Sequence, residues 1–425
     1  MKYDLIIVGG GPAGLMAAKT AAEDGLKVLL IERKKDITRI TRACSEIFFI
    51  NKLTASDKSE QGEAHINGYV EPVSLEVRGD RVRLNFDGPG FSVDYDGPVK
   101  PYYDWIQVSP SGYQVHRYNP REKKIWGFYY NKEVLLTGLL SAAQKAGVEI
   151  WSETIGLRAE NTRDGVTVHL RGRQGEQSLQ ASKAIAADGI QSKIVESLGL
   201  NQARPPVGKP LKISHYIIEG LEDLPDNNSW ISFTIPSVAP FGTIPIGLWA
   251  GDTYQLEAGS MSATPPHEYV EKFMRLPLVA PWFRHARVVE KIACTNVMRQ
   301  PIRKPLAGNV VIIGDAGAPD STWIQGAMAC GYQAAKATAK ELDGKRGYSE
   351  YTRWWQQAFA FNRQDHFKTF NLAYSLSMVC NSEDIDYIYS LFQDKIGIPP
   401  CLVNKNMHLI KEGRPELYEK LTKGL

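Results

Sequence analysis

Apolar and polar positions at the start of the chain follow two different spacings. Uninterrupted apolar runs cover residues 5–8 and 28–31, and an alanine-rich stretch with helical spacing lies between them and ends near Asp24. Short apolar runs bounded by glycine predict buried strands, whereas the longer stretch predicts a helix. The chain therefore opens with a predicted strand, helix and strand, and Glu32 closes the second strand.

The turn between the first strand and the helix carries Gly9, Gly11 and Gly14. In this spacing the first glycine permits a tight turn, the second lets the backbone approach a pyrophosphate, and the third lets the helix pack on the sheet. The start of the helix offers unpaired N–H groups to the phosphates. Glu32 lies 18 residues beyond Gly14, where a carboxylate can accept hydrogen bonds from a ribose hydroxyl. This first cradle predicts a dinucleotide site and suits either FAD or NAD.

The middle of the chain carries long segments with the composition of β-sheets. Residues 66–130 and 211–300 are rich in strand-forming residues, glycine and proline, and the first segment predicts an antiparallel sheet inserted into the nucleotide domain. Helical spacing predicts helices over residues 131–146 and 266–275. A second sheet beside a nucleotide domain commonly forms one wall of a substrate chamber.

A second phosphate-type cradle follows the apolar run at residues 309–313. This run ends in Gly314 and Asp315, and a predicted helix opens at Gly326 and Ala327. A carboxylate at the end of a strand can bind a ribityl hydroxyl, and the N–H groups of a helix start can face an isoalloxazine ring. NAD has no ribityl chain, so the second cradle favours FAD, bound non-covalently. The alternative is an ordinary strand whose aspartate caps a turn.

A basic loop after the first cradle contains Arg39, Arg42 and Cys44. Beside an extended dinucleotide, either arginine could reach the pyrophosphate, and Cys44 could approach a ring. Neighbouring cations lower the pKa of a thiol, so Cys44 is a candidate general acid. The alternatives stay open: the loop is solvated, and Cys44 packs as a small apolar residue. His215 or Tyr216 would then be the proton source.

Composition limits the remaining possibilities. The chain has 425 residues, of which 43% are hydrophobic and 23% charged, as in an ordinary globular protein of two or three domains. Its 50 basic and 47 acidic residues give no electrostatic case for nucleic acid as a partner. The five scattered cysteines show no metal-ligand spacing. We therefore expect no bound metal, and we expect an organic cofactor to supply any redox chemistry.

The position of the first cradle bears on location and on the electron source. It begins at the third residue, which leaves no room for a signal peptide, and no apolar window is long enough to span a membrane. A cytoplasmic protein is expected. Only one glycine-rich cradle has its strand and acid, so no separate NAD(P)H domain is predicted. The redox partner is therefore a transiently docking NAD(P)H, ferredoxin or electron-transfer flavoprotein, with a protein carrier preferred by analogy.

A further predicted strand runs into Asp188 and Gly189, and Ser192 follows it. Together with the two cradles, this pattern resembles the para-hydroxybenzoate hydroxylase-like FAD superfamily. Within it the chain is most similar to the geranylgeranyl reductases and the related electron-transfer flavoprotein:quinone oxidoreductase-like dehydrogenases. The small glycines that follow the cysteine of those reductases are replaced here by Ser45, Glu46 and Ile47. The glycine-rich stretch after their Gly-Asp is replaced by residues 319–326.

The resemblance implies an α/β fold with a doubly wound FAD-binding domain, an interleaved mixed β-sheet substrate domain and C-terminal helices. The implied domains are an FAD-binding domain of residues 1–65, 131–210 and 301–345, a substrate-binding β-domain of residues 66–130 and 211–300, and a C-terminal helical region of residues 346–425. The cofactor-binding residues it implies are Gly9, Gly11, Pro12, Ala13, Gly14, Glu32, Arg33, Arg42, Ala43, Gly314, Asp315, Gly326 and Ala327.

The resemblance also implies a function. It is that of an FAD-dependent reductase or dehydrogenase acting on a C–C bond of a hydrophobic small molecule, with Cys44 as the candidate catalytic residue. Two other functions stay open. One is an FAD-dependent aromatic monooxygenase, and the other is an electron-transfer flavoprotein without an organic substrate.

Overall fold

The computed structural model describes residues 3–50, 69–78, 81–119, 121–224, 228–240, 242–362 and 376–424. Its strands, in chain order, are β1 (Tyr3–Val8), β2 (Val28–Ile31), β3 (Ile47–Phe49), β4 (Val73–Arg78), β5 (Arg81–Phe86), β6 (Phe91–Tyr95), β7 (Val99–Tyr102), β8 (Asp104–Val108), β9 (Gln114–His116), β10 (Gly127–Tyr130), β11 (Glu149–Trp151), β12 (Ile155–Thr162), β13 (Gly165–Gly172), β14 (Gly175–Ala186), β15 (Leu211–Glu219), β16 (Ser229–Phe233), β17 (Ile244–Ala250), β18 (Thr253–Ser260), β19 (Arg287–Asn296), β20 (Leu306–Ala307) and β21 (Val310–Ile312). The helices are α1 (Pro12–Glu23), α2 (Lys132–Lys145), α3 (Lys193–Ser197), α4 (Pro266–Met274), α5 (Trp323–Leu342), α6 (Gly347–Ala358), α7 (Ser382–Phe392), α8 (Pro399–Lys405), α9 (Met407–Gly413) and α10 (Pro415–Gly424). The predicted boundary at residues 65 and 66 lies outside the described residues.

A parallel sheet of order β11-β2-β1-β14-β21 forms the nucleotide-binding side. Strand β14 also pairs antiparallel with β13, which pairs with β12. Leu5 and Ile7 enter the apolar cluster that contains α1, whereas Ile6 and Val8 enter the cluster on the opposite face. Burial on both faces explains the unbroken apolar run in β1. This arrangement confirms the predicted α/β, doubly wound fold.

A larger sheet of order β19-β15-β18-β17-β16-β8-β9 stands beside the first. Helix α4, predicted at residues 266–275, covers one of its faces, where Phe273 packs edge-on against Phe233. Side chains of β15 alternate across the sheet. Tyr216 and Ile218 join the cluster under α4, while Ile213 lies on the opposite face and lines a cavity.

The antiparallel sheet predicted for residues 66–130 is divided among three sheets. Strands β4, β5 and β6 form an antiparallel sheet of their own, and β7 pairs with β10, which also pairs with β3. Strand β8 runs parallel to β16 and so joins the larger sheet. The four residues of β10 are all buried, because the strand lies between two packed layers. The domain boundaries stay a prediction.

The C-terminal helices pack in two places. Helix α6 lies on α5. Its Trp355 indole N–H donates to the carbonyl of Ile302, before β20, at 2.8 Å. Helices α7 to α10 share an apolar cluster with Val115 of β9, at the edge of the larger sheet. Across the described ranges, no helix combines the length and apolar character needed to cross a membrane.

Candidate functional site

A cavity of about 470 Å³ opens at the carboxyl ends of four parallel strands. Its wall includes the residue that ends or follows each of them, which are Val8, Ile31, Ala187 and Ile313. Open α/β sheets bind ligands at this edge. The larger sheet supplies the facing wall, through β15, β18 and β19. The candidate site therefore lies between the two sheets.

The glycines of the first cradle have the geometry that a pyrophosphate requires. A Cβ on Gly9 would lie 2.2 Å from the carbonyl oxygen of Ala187, and one on Gly14 would lie 1.8 Å from the carbonyl oxygen of Gly9. A Cβ on Gly11 would meet no atom within 4 Å, so this glycine faces the open cavity. Helix α1 begins at Pro12, and no side chain caps it. Its N–H groups are therefore available to an anion.

Glu32 is held at the end of β2 by the backbone of the cradle. Its Oε2 accepts from the Gly10 N–H at 2.6 Å, and its Oε1 accepts from the Lys34 N–H at 2.9 Å. The residue is 6% exposed and lines the cavity beside Arg33. Each carboxylate oxygen can accept more than one hydrogen bond. The arrangement fits a ribose hydroxyl at this point.

Asp315 follows the strand of the second cradle and lines the cavity. Gly314 before it has φ +60°, a conformation that suits glycine. Both hydrogen bonds that Asp315 makes within the described residues go to Oδ1, from the N–H and the hydroxyl of Thr322 at 2.7 and 2.9 Å. The other oxygen can accept from a ribityl hydroxyl. The cavity wall therefore fits both ends of FAD.

The helix of the second cradle begins earlier than predicted. Helix α5 starts at Trp323, one turn before Gly326, so its N–H groups meet the cavity near Ile324. A Cβ on Gly326 would lie 2.8 Å from the ring of Phe359, which shows that this glycine accommodates an aromatic neighbour. The flavin-edge role of Gly326 stays a prediction. Ala327 does line the cavity.

The structure separates the two candidate arginines of the basic loop. The Arg39 guanidinium forms ion pairs with Glu133 at 3.3 Å and Glu290 at 2.7 Å, and its side chain is 49% exposed. Arg42 donates to the Oδ1 of Asn296 in a partly buried position. Arg42 and Ala43 line the cavity with Cys44, and Arg39 lies at its exposed rim. Arg42 is thus the arginine oriented toward the interior.

Asn296 connects Arg42 to an acid that the sequence did not single out. Its Nδ2 donates to the Oδ1 of Asp320 at 2.9 Å. Burial and the nearby Asp315 carboxylate raise the pKa of Asp320 to about 6, against the lowering effect of the Asn296 hydrogen bond. Asp320 therefore titrates close to neutral pH on the cavity wall.

Asp188 has a structural role at the start of α3. Its carboxylate accepts from the Ser192 hydroxyl and from the N–H groups of Lys193 and Ile194, at 2.8 and 3.3 Å for the latter two. Burial raises the pKa of Asp188. The residue lies at the edge of the cavity and uses its oxygens to cap the helix.

The two alternative proton sources lie on opposite faces of the larger sheet. His215 is fully buried, and its Nδ1 lies 3.2 Å from the Oε2 of Glu257, which lines the cavity. Tyr216 donates to Glu271 of α4 at 3.3 Å, away from the cavity. The strand alternation therefore removes Tyr216 as a proton source.

Several functional candidates were missed from sequence. Glu46, Glu257, Asn296 and Asp320 all line the cavity. Two of them lie where the chain departs from the reductase pattern, in the segment after Cys44 and in residues 319–326. Those departures were the available signal. Glu257 and Asn296 lie in ordinary strand sequence and gave none.

Comparison with known proteins agrees with this geometry. A family of proteins described as FAD dependent oxidoreductases matches residues 4–37, which contain the first cradle. The digeranylgeranylglycerophospholipid reductase of Methanococcus vannielii is 25% identical over 376 residues, 85% of each chain. The enzyme of the same name from Methanocaldococcus jannaschii is 26% identical over 380 residues, 86% of this chain and 85% of its own. The chain is therefore similar to FAD-dependent oxidoreductases at its first cradle and to geranylgeranyl-type reductases over most of its length.

Solved structures show the same fold. A geranylgeranyl bacteriochlorophyll reductase-like protein from Thermoplasma acidophilum matches with a TM-score of 0.71 and 19% identity, covering 100% of this chain and 99% of the other. The p-nitrophenol 4-monooxygenase of Pseudomonas putida matches with a TM-score of 0.65 and 15% identity, covering 99% and 98%. The oxidoreductase thus shares its architecture with both reductases and monooxygenases. Within its described residues, no group of three or more potential ligand side chains could hold a metal ion.

Proposed function

We propose that this oxidoreductase reduces a C=C bond of a hydrophobic, prenyl-type substrate with FAD as the hydride carrier. The main support is the similarity to the digeranylgeranylglycerophospholipid reductase of Methanococcus vannielii, which extends over 85% of both chains. The similarity therefore includes the larger sheet as well as the cradles. Ile213 of β15, Ile47 of β3 and Trp323 of α5 present apolar side chains to the cavity. Apolar side chains there suit a hydrocarbon chain.

The proposal assigns the FAD contacts to the chain's own groups. Backbone N–H groups at Gly11 and the start of α1 bind the pyrophosphate, Glu32 binds the adenosine ribose, and Asp315 binds the ribityl chain. Arg42 neutralises phosphate charge from the basic loop. Bound FAD supplies two-electron hydride chemistry. The protein positions the substrate carbon, excludes water and supplies the matching proton.

Cys44 is the proposed proton donor at Sγ. It lines the cavity in the loop that also carries Arg42. Cys44→Ser should retain FAD and lose at least about tenfold in turnover if the thiol delivers the proton. Cys294→Ser is the matched control, because this second thiol lines the facing wall. Equal losses in both variants would instead indicate a packing role for Cys44.

The redox partner and location belong to the proposal as well. We expect a protein carrier such as ferredoxin or electron-transfer flavoprotein, with NAD(P)H as the alternative, and a cytoplasmic enzyme. Stopped-flow reduction of the flavin by each donor discriminates between them. A rate with one donor at least about tenfold above the others would identify it.

The function is tested with an unsaturated archaeal-type lipid. FAD-loaded protein, reduced anaerobically with dithionite, should convert digeranylgeranylglycerophospholipid to products that carry two more hydrogens per reduced double bond, as measured by mass spectrometry. Protein without FAD is the control. Hydroxylation of an aromatic with oxygen consumption would support the monooxygenase instead. Flavin reduction by a redox protein without turnover of any organic compound would support an electron-transfer flavoprotein.

A further inference from the structure

Glu46 occupies an unusual position two residues after Cys44. Its backbone has φ +49°, a left-handed conformation that glycine adopts readily and that costs other residues free energy. The side chain is buried, with 2% exposure, and the residue lines the cavity. A glycine would fit this backbone without strain. The chain instead places a carboxyl group there.

Three hydrogen bonds fix the segment that carries Glu46. The buried Gln255 side chain donates to the carbonyl of Ser45 at 2.6 Å, and the Tyr130 N–H donates to the carbonyl of Glu46 at 3.1 Å. The Lys132 N–H donates to the Oε1 of Glu46 at 2.8 Å. Strained conformations persist where the surroundings over-determine them, and they concentrate at functional sites. The hydrogen bonds over-determine the conformation of Glu46, and the residue lines the candidate site.

The second carboxyl oxygen of Glu46 lacks a partner. Its Oε2 is buried and has no hydrogen bond of good geometry within the described residues, and the same holds for the hydroxyls of Tyr102, Tyr129 and Tyr130. The nearby Tyr129 hydroxyl is the weakest of the influences that lower the pKa of Glu46. Burying a charged carboxylate without partners is costly, so the neutral acid is favoured. Burial raises the pKa of Glu46 to about 8, despite the Lys132 hydrogen bond. At neutral pH the group therefore holds a proton.

Several elements near Glu46 contribute titratable groups. They are Tyr95 of β6, Tyr102 of β7, Tyr129 and Tyr130 of β10, Lys132 and Glu133 of α2, and Cys44 of the same loop. Burial raises the pKa of all four tyrosines, so they remain neutral hydroxyls near pH 7. The Lys132 charge lowers the pKa of Glu46, and the Glu133 charge raises it.

Tyr130 lies near both the carboxyl and the thiol. Burial is the main cause of its raised pKa, and Cys44 and Glu46 follow as further causes, which places the hydroxyl within electrostatic reach of both. Tyr130 also lines the cavity with them. A neutral hydroxyl can accept one proton and donate another.

We propose that Glu46 is the proton store of the flavin cavity and that it reprotonates Cys44 through the Tyr130 hydroxyl. This inference rests on the proposed reduction of a C=C bond. In that reaction the π bond breaks and two C–H bonds form, one with the hydride that reduced FAD supplies and one with the proton from Sγ of Cys44. The thiolate then takes the Tyr130 proton as Tyr130 takes the Oε2 proton, and the Glu46 carboxylate recovers its proton from solvent. Glu46 is thus a positioning residue, since it acts through Cys44.

Glu46→Gln is the sharpest variant, because its amide oxygen can still accept from the Lys132 N–H. The first measurement is infrared difference spectroscopy across a pH titration, which needs neither FAD nor substrate. The wild-type spectrum should contain a protonated carboxylic acid band that is lost as the pH rises through about 8, and the band should be absent in Glu46→Gln. Glu133→Gln is the matched control and should keep it. A band that persists in Glu46→Gln would overturn the proposal.

The second measurement is multiple-turnover reduction of the lipid as a function of pH. Because the protonated form of Glu46 is required, the wild-type rate should hold below about pH 8 and fall above it. Glu46→Gln should be at least about tenfold slower at neutral pH and should lose this pH step. Glu46→Gly should show the same slower rate and the same loss of the pH step, and a glycine suits φ +49° at this position. It provides the test if Glu46→Gln misfolds.

The two hypotheses fail in different ways. If wild-type protein reduces no prenyl lipid but the infrared band behaves as expected, the proposed function fails while the protonated store stands. If wild-type protein reduces the lipid and Glu46→Gln keeps the wild-type rate and pH profile, the store is refuted. A merely structural Glu46 would change stability without moving the pH profile.

Discussion

The two walls of the cavity are built from different parts of the chain. On the nucleotide side the contacts come from backbone at Gly9, Gly11 and Gly14 and from carboxylates that end strands. On the other side they come from side chains of strands and loops that are distant in the chain, with Glu46 and Asp320 as acids of raised pKa. The predicted cofactor contacts thus depend on local backbone geometry, whereas the proposed reaction side depends on long-range packing.

The largest loss of stability and of FAD is expected at Gly14, where the first cradle is packed most tightly. Gly14→Ala places a Cβ 1.8 Å from the Gly9 carbonyl oxygen, and the neighbour is backbone that cannot move aside. The variant should lose at least about 3 kcal/mol of stability and its FAD. Thermal unfolding and the flavin-to-protein ratio measure this. Gly138→Ala is the control, since its Cβ meets nothing within 4 Å in helix α2, and it should stabilise slightly.

This contrast also explains what could be predicted from sequence. The first cradle was predictable, because each of its requirements falls on consecutive residues and leaves a glycine or an acid at fixed spacing. The role of Gly326 was harder to assign, since a glycine that opens a helix and one that accommodates the ring of Phe359 look alike in sequence. Asn296 and Glu257 were not predictable, because strand pairing across the larger sheet brings them to the cavity.

The loop after Asp315 should show the opposite behaviour, because removing the charge of Asp320 should stabilise the protein. The folded-state pKa of Asp320 is raised from 3.8 to about 6, so above pH 6 its partly buried carboxylate destabilises the native state. Asp320→Asn should therefore gain roughly 2 kcal/mol at pH 8. The gain should shrink as the pH falls through 6 and vanish below the unfolded pKa. Urea titrations of both proteins without FAD at pH 8 and pH 4 measure this gain. An equal gain of Asp320→Asn over wild type at the two pH values would contradict the burial argument.

A milder change at the first cradle should separate FAD binding from folding. A Cβ on Gly11 meets nothing within 4 Å on the protein side, so it projects into the space assigned to the pyrophosphate. Gly11→Ala should keep the wild-type unfolding temperature and weaken FAD affinity about tenfold, equivalent to about 1.4 kcal/mol. Flavin fluorescence titration gives the affinity. A loss of fold with intact affinity would mean that Gly11 serves packing.

The smallest effect is expected at the rim, where the two arginines differ. Arg39 is half-exposed and is already paired with Glu133 and Glu290, and exposed ion pairs contribute at most about 1 kcal/mol. Arg39→Ala should therefore change FAD affinity by less than about threefold. Arg42 points inward to Asn296, and Arg42→Ala should weaken FAD binding more, because a phosphate charge would lose its partner in a less solvated place. Both affinities should be measured at low and high salt. If Arg39→Ala costs as much affinity as Arg42→Ala, the pyrophosphate extends to the rim, and the basic loop belongs as a whole to the nucleotide wall.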